Sequence, residues 1–177
     1  LKLKVGHACR TVKDCLRLGR ADYTIRTALL EHRFIGGNEA LAQELRARLW
    51  SELFRGTEAD FIEAKLEERK ERHKRQGGQR YVLEPNVKEG KGGLRDLQTL
   101  YWIAKYVHHV DRAAELIDLG FFTREEHAAF YQAEDFLWAV RCHLHLITGR
   151  TSDQLTFDMQ VEVARRQLAD LEHHAGY

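Results

Sequence analysis

The spacing of hydrophobic residues predicts a mostly helical chain. From residue 38 to 148, apolar side chains recur every three or four positions, the period of helices that bury one face. Residues of the types that cap helix starts, whose side-chain oxygens can accept backbone N–H groups, precede four predicted helices. They are Thr11, Asp22, Asn38 and Thr57. Thr123 and Glu126 form a predicted capping box that starts the longest helix, ending near Thr148. The second predicted helix is YTIRTALLEHRFI, which follows Asp22 and is ended by Gly36 and Gly37.

Only the first residues show a strand pattern. The stretch LKLKV alternates apolar and basic residues, which predicts a strand over residues 1–9 with one buried face. The predicted fold is therefore mainly α: a helical bundle-like domain with a short β edge at its N-terminus. The three tryptophans fall within amphipathic helical patterns, and we expect all of them in the core; they are Trp50, Trp102 and Trp138.

One predicted helix changes character along its length. Its second half, EERKERHKRQ, is polar on all sides. Such a segment is expected to project into solvent or towards another domain. We therefore interpret the charges of residues 67–76 as a solvated helix face.

Composition indicates a globular protein without a membrane span. Hydrophobic residues make up 44% of the chain and charged residues 31%. The N-terminus is no signal peptide. Three cysteines without metal-like spacing predict buried free thiols in a reducing, cytoplasmic environment. Because the chain starts without Met and in mid-pattern, we expect a piece of a longer protein.

Positive charge is concentrated in two segments although the net charge is only +1. Residues 1–36 carry eight Lys or Arg against three Asp or Glu, and residues 65–95 carry ten against five. This distribution favours a compact anionic ligand over a nucleic acid, which usually requires a strongly basic face.

The segment LEPNVKEGKGGLRDLQ is the strongest candidate for chemistry. Its three closely spaced glycines and the cations Lys88, Lys91 and Arg95 precede a predicted helix. Helix N-termini attract anions, so a phosphate or carboxylate cradle is one interpretation. A plain turn with glycines at positive φ is the other, and spacing alone favours it. Asp96 suits the first helical turn, and its carboxylate could also hold a basic group.

No motif predicts catalysis or a metal site within this chain. His143 and His145 are two positions apart on a predicted helix and cannot share a metal. The sequence has no Asp-x-Asp pair of the kind that metal-dependent transferases use.

The glycine-containing segment closely resembles the central region of the GlnD family, bifunctional uridylyltransferase/uridylyl-removing enzymes that modify the PII signalling protein. The shared pattern falls on Leu83, Glu84, Pro85, Asn86, Lys88, Gly90, Gly92, Gly93, Leu94, Arg95, Asp96 and Gln98. Lys91 stands where the family often has proline. The resemblance runs from about residue 3 to residue 163.

This resemblance implies a domain division and a set of site residues. Residues 1–36 would end a nucleotidyltransferase domain, 37–160 would form its associated helical domain, and 161–177 would lead to a downstream HD domain. Residues facing the nucleotide would be Lys88, Gly92, Gly93, Arg95 and Asp96, with His7 and Arg10 bordering the cleft. Residues shaping the loop would be Glu84, Pro85, Asn86 and Gly90.

The family's reaction transfers UMP from UTP to a tyrosine of PII. The resemblance implies Mg²⁺ held by carboxylates upstream of this chain, so we expect no catalytic or metal-binding residue here and no activity from the chain alone. PII, UTP and the effector glutamine are the implied partners, without nucleic acid or membrane. Two alternatives stay open: a non-catalytic helical module that binds PII or another regulatory protein, and a related nucleotidyltransferase-like regulator.

Overall fold

The computed structural model describes residues 6–77, 82–110 and 114–175, with side chains up to residue 168. Within these ranges the predicted mainly α fold is confirmed. The helices are α1 Val12–Ala21, α2 Tyr23–Leu30, α3 Glu39–Leu49, α4 Glu58–Arg75, α5 Leu94–His108, α6 Glu115–Asp118, α7 Arg124–Thr148 and α8 Phe157–Ala175. A π-helical segment, Trp50–Phe54, continues α3. None of the described helices is both long and apolar enough to span a membrane.

Most predicted helix starts are confirmed by their caps. The first turns of α1, α2, α3 and α7 each donate backbone N–H groups to a capping side-chain oxygen. The capping residues are, in order, Thr11, Asp22, Asn38 and Thr123. Thr57 precedes α4 without capping it. Its hydroxyl donates to the Leu53 carbonyl at 2.9 Å and lies 2.7 Å from the hydroxyl of Tyr106. The fully buried Tyr106 thereby gains a polar partner.

Two predictions near the N-terminus differ from the structure over the described residues. Residues 6–9 form no regular structure, while residues 1–5 of the predicted strand lie outside the described residues. Helix α2 ends at Leu30, well before Gly36. The residues that suggested its continuation, Phe34 and Ile35, are 51% and 87% exposed, so they have no core to pack against.

The largest hydrophobic cluster joins the first five helices and the π-helical segment. Its buried members are Cys15, Leu16, Leu29, Leu30, Leu49, Leu53, Phe54, Phe61, Trp102 and Tyr106. The rings of Phe61 and Tyr106 stack with centroids 3.9 Å apart, which fixes α4 against α5. A second cluster joins Val87 to α7 and α8 through Val140, Leu144 and Val163.

Two expectations about buried side chains need correction. Trp102 and, in part, Trp50 pack in the largest cluster, but Trp138 is 38% exposed. The Trp138 ring instead carries the Arg141 guanidinium 5.1 Å from its centroid. Only Cys15 is buried, whereas Cys9 and Cys142 are exposed.

Candidate functional site

The glycine loop, residues 83–93, is a compact turn that connects α4 to α5. The Asn86 side chain accepts the backbone N–H groups of Lys88 and Glu89, at 3.1 and 2.7 Å. The Asn86 carbonyl accepts the N–H of Gly90 at 2.9 Å. An asparagine that bonds its own following backbone is a common way to form such a turn. Asn86 thus closes the turn through both its side chain and its carbonyl.

Each glycine at the end of the loop meets a geometric requirement. A Cβ at Gly90 would lie 2.5 Å from the Asn86 carbonyl oxygen. At Gly93 it would lie 2.8 Å from the Val87 oxygen and 2.9 Å from the Lys88 oxygen. Gly92 has a φ of +75°, in the left-handed region that favours glycine. The turn geometry therefore accounts for all three glycines.

The loop also occupies the N–H groups of the helix that follows it. Leu94 and Arg95 donate to the carbonyls of Val87 and Lys88, at 3.0 and 2.9 Å. Every backbone N–H from 87 to 90 and from 92 to 97 has an acceptor within the protein. These groups normally make a helix start attractive to anions. An anion at this loop would therefore have to be bound by side chains.

Asp96 is the centre of a charged cluster that joins α4 to α5 and the loop. We call it the Asp96 cluster: Asp96, Arg69, Arg72 and His73. The carboxylate accepts from Arg72 at 2.6 Å, lies 2.9 Å from His73 Nε2, and accepts the Gly92 N–H at 2.9 Å. Arg69 adds a longer contact of 3.3 Å. The carboxylate therefore does hold basic groups, as one interpretation of its position predicted.

The environment of Asp96 favours its charged form. Burial by itself would raise the pKa of the carboxyl group. The hydrogen bonds from Gly92, Arg72 and His73 outweigh burial, and the pKa lies below its ordinary value. Asp96 therefore stays ionised and keeps its donors at neutral pH.

This cluster corrects the interpretation of residues 67–76 as a solvated face. Arg72 is only 3% exposed, because its guanidinium turns towards Asp96. Arg69 and His73 face the same carboxylate. The polar second half of α4 therefore packs against α5 through charge pairs instead of projecting away from the body.

A second aspartate contacts the loop through its backbone and forms a charged cluster with its side chain. We call it the Asp153 cluster: Asp153, Arg141 and His145. Asp153 accepts from Arg141 Nε at 2.8 Å and lies 3.1 Å from His145 Nε2. Burial would raise the pKa of Asp153, but these two contacts and the Lys88 charge lower it overall. The Asp153 carbonyl accepts the Val87 N–H at 2.8 Å, so this cluster is joined to the loop through the backbone.

The residues before α8 run beside the start of the loop. Asn86 and Gln154 form an isolated antiparallel bridge, and the Leu155 N–H donates to the Pro85 carbonyl at 2.9 Å. The Glu84 carboxylate accepts the Phe157 N–H at the first turn of α8, at 2.9 Å. A carboxylate at this position also interacts favourably with the helix dipole. Glu84 and Pro85 therefore join the start of the loop to the residues that lead into α8.

Two basic side chains, Lys88 in the loop and Arg95 in the first turn of α5, are partly exposed. Lys88 lies 3.4 Å from Glu89, and its side chain is 30% exposed. Arg95 is 27% exposed, lies 3.9 Å from Glu89, and donates to Gln98 at 2.9 Å. These cations are available to an anion outside the loop.

The two predicted site residues at the N-terminus lie elsewhere. His7 and Arg10 are exposed and precede α1. Arg10 lines a cavity of about 540 Å³ between the start of α1 and residues 34–45, and no residue of the glycine loop lines that cavity. Their position at the border of a nucleotide cleft stays a prediction.

Sequence analysis did not identify the residues that hold the loop. The partners of the two aspartates are Arg69, Arg72, His73, Arg141 and His145. The spacing of Arg141 and His145, four apart on one helix face, was an available signal for a shared partner. Within the described ranges, no group of three or more His, Cys, Asp or Glu side chains is arranged to hold a metal ion.

Residues 60–175, which include the whole glycine loop, match the family model for the GlnD PII-uridylyltransferase. The chain belongs to this GlnD family. It is 71% identical over 166 residues to a bifunctional uridylyltransferase/uridylyl-removing enzyme of Cereibacter sphaeroides. Proteins of the same name from Ruegeria pomeroyi and Novosphingobium aromaticivorans are 67% and 59% identical over 166 residues.

Each of these GlnD alignments covers 94% of the chain but 18% of the relative. The chain thus spans less than a fifth of the length of the relatives that it matches. No solved structure matches it.

Proposed function

We propose that the longer protein to which this chain corresponds transfers UMP from UTP to a tyrosine of the PII signalling protein. The tyrosine hydroxyl oxygen attacks the α-phosphorus in line, the bond from that phosphorus to the bridging oxygen breaks, and pyrophosphate leaves. The hydroxyl proton passes to a base outside this chain. Membership of the GlnD family, together with the names of relatives at 59–71% identity, carries this proposal.

In this proposal the helical chain caps the nucleotide cleft and turns the glycine loop towards it. Lys88 and Arg95 interact with the phosphates of UTP, because they are partly exposed cations on a backbone whose own N–H groups are hydrogen-bonded within the protein. Such preorganised charges stabilise a transferring phosphoryl group without reorganisation during the reaction. Gly92 and Gly93 let the loop approach the nucleotide, and His7 and Arg10 border the cleft.

Asp96 has a different role from the two cations in this scheme. Its carboxylate is occupied by Arg72, His73 and the Gly92 N–H. It acts as a positioning residue that fixes the loop, and through the loop the cations. Replacing it would disturb nucleotide binding without removing a direct contact.

The chain is expected to be inactive alone. Magnesium supplies charge neutralisation in phosphoryl and nucleotidyl transfer. The described residues do not fit such a site, since they provide no suitable ligand group. The carboxylates that hold Mg²⁺ are therefore assigned to the upstream part of the protein. Removal of UMP and the response to glutamine are assigned to downstream parts.

The test is transfer of labelled UMP from UTP to PII by the full-length protein, beside the 177-residue chain. Lys88→Ala and Arg95→Ala should each lower kcat/KM by roughly tenfold or more, the range expected for losing a charge-assisted contact. Lys70→Ala is the control, because that side chain is 74% exposed and pairs with Glu67 on its own helix. Transfer that is unchanged in both loop variants would refute the capping role.

One observation favours the alternative of a protein-interaction module. Large apolar side chains on the outer faces of α7 and α8 are more than half exposed; they are Phe136, Leu146, Phe157, Val161 and Leu168. Exposed apolar patches often mark contacts with other proteins or domains. Absence of UMP transfer by the full-length protein, with metal and effectors supplied, would favour this alternative.

A further inference from the structure

Glu89, in the middle of the glycine loop, lies within 4 Å of three cations. Its carboxylate oxygen Oε1 is 3.4 Å from Lys88 Nζ and 3.9 Å from Arg95 Nε, and its Oε2 is 3.9 Å from Arg72 Nε. The turn itself uses only the Glu89 backbone, whose N–H donates to the Asn86 side chain at 2.7 Å. The shape of the loop therefore does not explain the position of the Glu89 charge.

The three contacts of the Glu89 carboxylate are loose. Charge-assisted N–H···O hydrogen bonds are usually about 2.7–2.9 Å long, and the nearby bonds from Arg72 to Asp96 and from Lys65 to Glu68 are each 2.6 Å. At 3.4–3.9 Å the cations attract Glu89 by charge, without a directional bond that fixes it. Its side chain is 30% exposed, so the carboxylate has room to change partners.

Arg72 offers this carboxylate a better partner than it has now. Its Nε is buried and has no hydrogen-bond acceptor among the described residues, because Asp96 is bonded to the Nη2 atom of the same guanidinium. A buried donor without an acceptor is costly. Glu89 Oε2 is 3.9 Å away, so a shift of about 1 Å would bring it to hydrogen-bond distance.

The cations on the two sides of the carboxylate differ in exposure. Oε1 faces Lys88 and Arg95, whose side chains are 30% and 27% exposed, whereas Oε2 faces Arg72, whose side chain is 4% exposed. An anion from outside the chain would therefore meet the first two cations and not the third. Bound there, it would lie beside the Glu89 charge, and like charges at such distances repel each other. Glu89 thus competes with an anion for Lys88 and Arg95.

We propose that Glu89 is an internal counter-ion, which the phosphates of UTP displace from Lys88 and Arg95. This inference rests on the proposed contacts of these two cations with UTP. In the free protein Glu89 neutralises both cations. When the nucleotide binds, the carboxylate moves to Arg72 Nε, and the buried donor gains its acceptor. Glu89 therefore lowers the affinity for UTP and also for pyrophosphate, which favours release of that product.

Equilibrium binding by the full-length protein tests this role without catalysis. UTP and pyrophosphate are each titrated by calorimetry at constant ionic strength, with magnesium present and PII omitted. Glu89→Gln keeps the size of the side chain and removes its charge. It should tighten binding of each probe by roughly threefold to tenfold, the range for one charge a few ångströms from another.

Two further variants separate the charge of Glu89 from its shape and from the general field of the protein. Glu89→Asp keeps the charge and should bind no more tightly than the wild type. Glu67→Gln is the matched control, because it removes the same charge from an exposed pair with Lys70 on α4. Its affinity for both probes should be unchanged. Tightening by Glu89→Asp or Glu67→Gln equal to that of Glu89→Gln would overturn the proposal.

Variants of the cations separate this inference from the proposed function. Lys88→Ala should weaken UTP binding, and adding Glu89→Gln to it should give a smaller gain than in the wild type. Unchanged UTP affinity in both Lys88→Ala and Arg95→Ala would overturn the proposed nucleotide contacts, and the role of Glu89 with them. Weaker binding in those variants, with no tightening in Glu89→Gln, would overturn the role of Glu89 alone. An equal gain from Glu89→Gln with and without Lys88 would do the same.

Discussion

The Asp96 and Asp153 clusters each place an aspartate against an arginine and a histidine, and the Asp96 cluster adds a second arginine, Arg69. They contact different residues of the glycine loop by different means. Asp96 accepts the Gly92 N–H with its own carboxylate. Asp153 contacts Val87 with its backbone carbonyl, while its carboxylate serves only Arg141 and His145 among the described residues.

Asp96 is thus attached to the loop through its side chain, and Asp153 is attached through its backbone. The side-chain attachment depends on the identity of residue 96, whereas the backbone attachment survives a change of side chain at residue 153. The clusters also differ in burial. The Arg72 side chain is 4% exposed and that of Arg141 is 18% exposed. Loss of the aspartate therefore leaves a more deeply buried cation in the first cluster.

Asp96→Ala is expected to have the largest effect. It leaves the buried Arg72 guanidinium without its closest carboxylate and frees the Gly92 N–H. Breaking a buried charge pair by removing one partner costs about 3–5 kcal/mol. Urea unfolding of the chain followed by circular dichroism measures this loss of stability. A loss below about 1 kcal/mol would show that Glu89 and water compensate Arg72.

Gly93→Ala is expected to have the next largest effect on stability, and it tests the loop between the two clusters. Its new methyl group would lie within 3.0 Å of three backbone carbonyl oxygens, from Val87, Lys88 and Gly90. Because backbone atoms cannot rotate away, we expect a loss of about 1–3 kcal/mol, the range for overpacked sites.

Gly36→Ala is the matched control for that measurement. A Cβ at Gly36 meets nothing within 4 Å, and its φ lies outside the left-handed region. It should change the midpoint of urea unfolding little. Equal losses for the two variants would mean that the loop relaxes around the added methyl group.

Asp153→Ala should cost less than Asp96→Ala, about 1–2 kcal/mol. Arg141 keeps its position over the Trp138 ring and gains water, since the side chains of Arg141 and His145 are both partly exposed. The Val87 N–H keeps its acceptor, so amide exchange at Val87 should stay slow. Fast exchange at Val87 in this variant would contradict the distinction between the two attachments.

The helix starts and the family pattern could be predicted from the sequence because they depend on local chemistry. A side-chain oxygen at Thr11 or Thr123 caps the helix within its own four residues. Helix ends were less predictable. Phe34 and Ile35 matched an apolar pattern, but whether a residue is buried depends on elements distant in the chain.

The candidate site also combines a part that is local in the sequence with a part that depends on distant residues. The resemblance to the GlnD family points to Lys88, Gly92, Gly93, Arg95 and Asp96 as site residues, and that assignment stays a prediction. Arg72 and His73 were missed because a charged helix face gives no indication of a carboxylate more than twenty residues away. Their contacts with Asp96 span 24 and 23 residues. Sequence patterning therefore identified the loop but not its attachments.

The smallest expected effect concerns pH, and it sharpens the comparison of the two carboxylates. Both pKa values are lowered in the folded chain. A lowered pKa contributes stability above the unfolded value, near 3.9, and loses it as pH falls through the folded value. Unfolding free energy should therefore decrease between about pH 5 and pH 3 in the wild type.

Asp96→Asn and Asp153→Asn should each flatten this decrease, because the substituted residue no longer binds a proton in either state. Urea midpoints at pH 5, 4 and 3 give the slopes, and the double variant tests additivity. The clusters share no partner, so the two changes in slope should add. A double variant with the slope of one single variant would mean that the loop couples the two carboxylates, and its two attachments would then act as one unit.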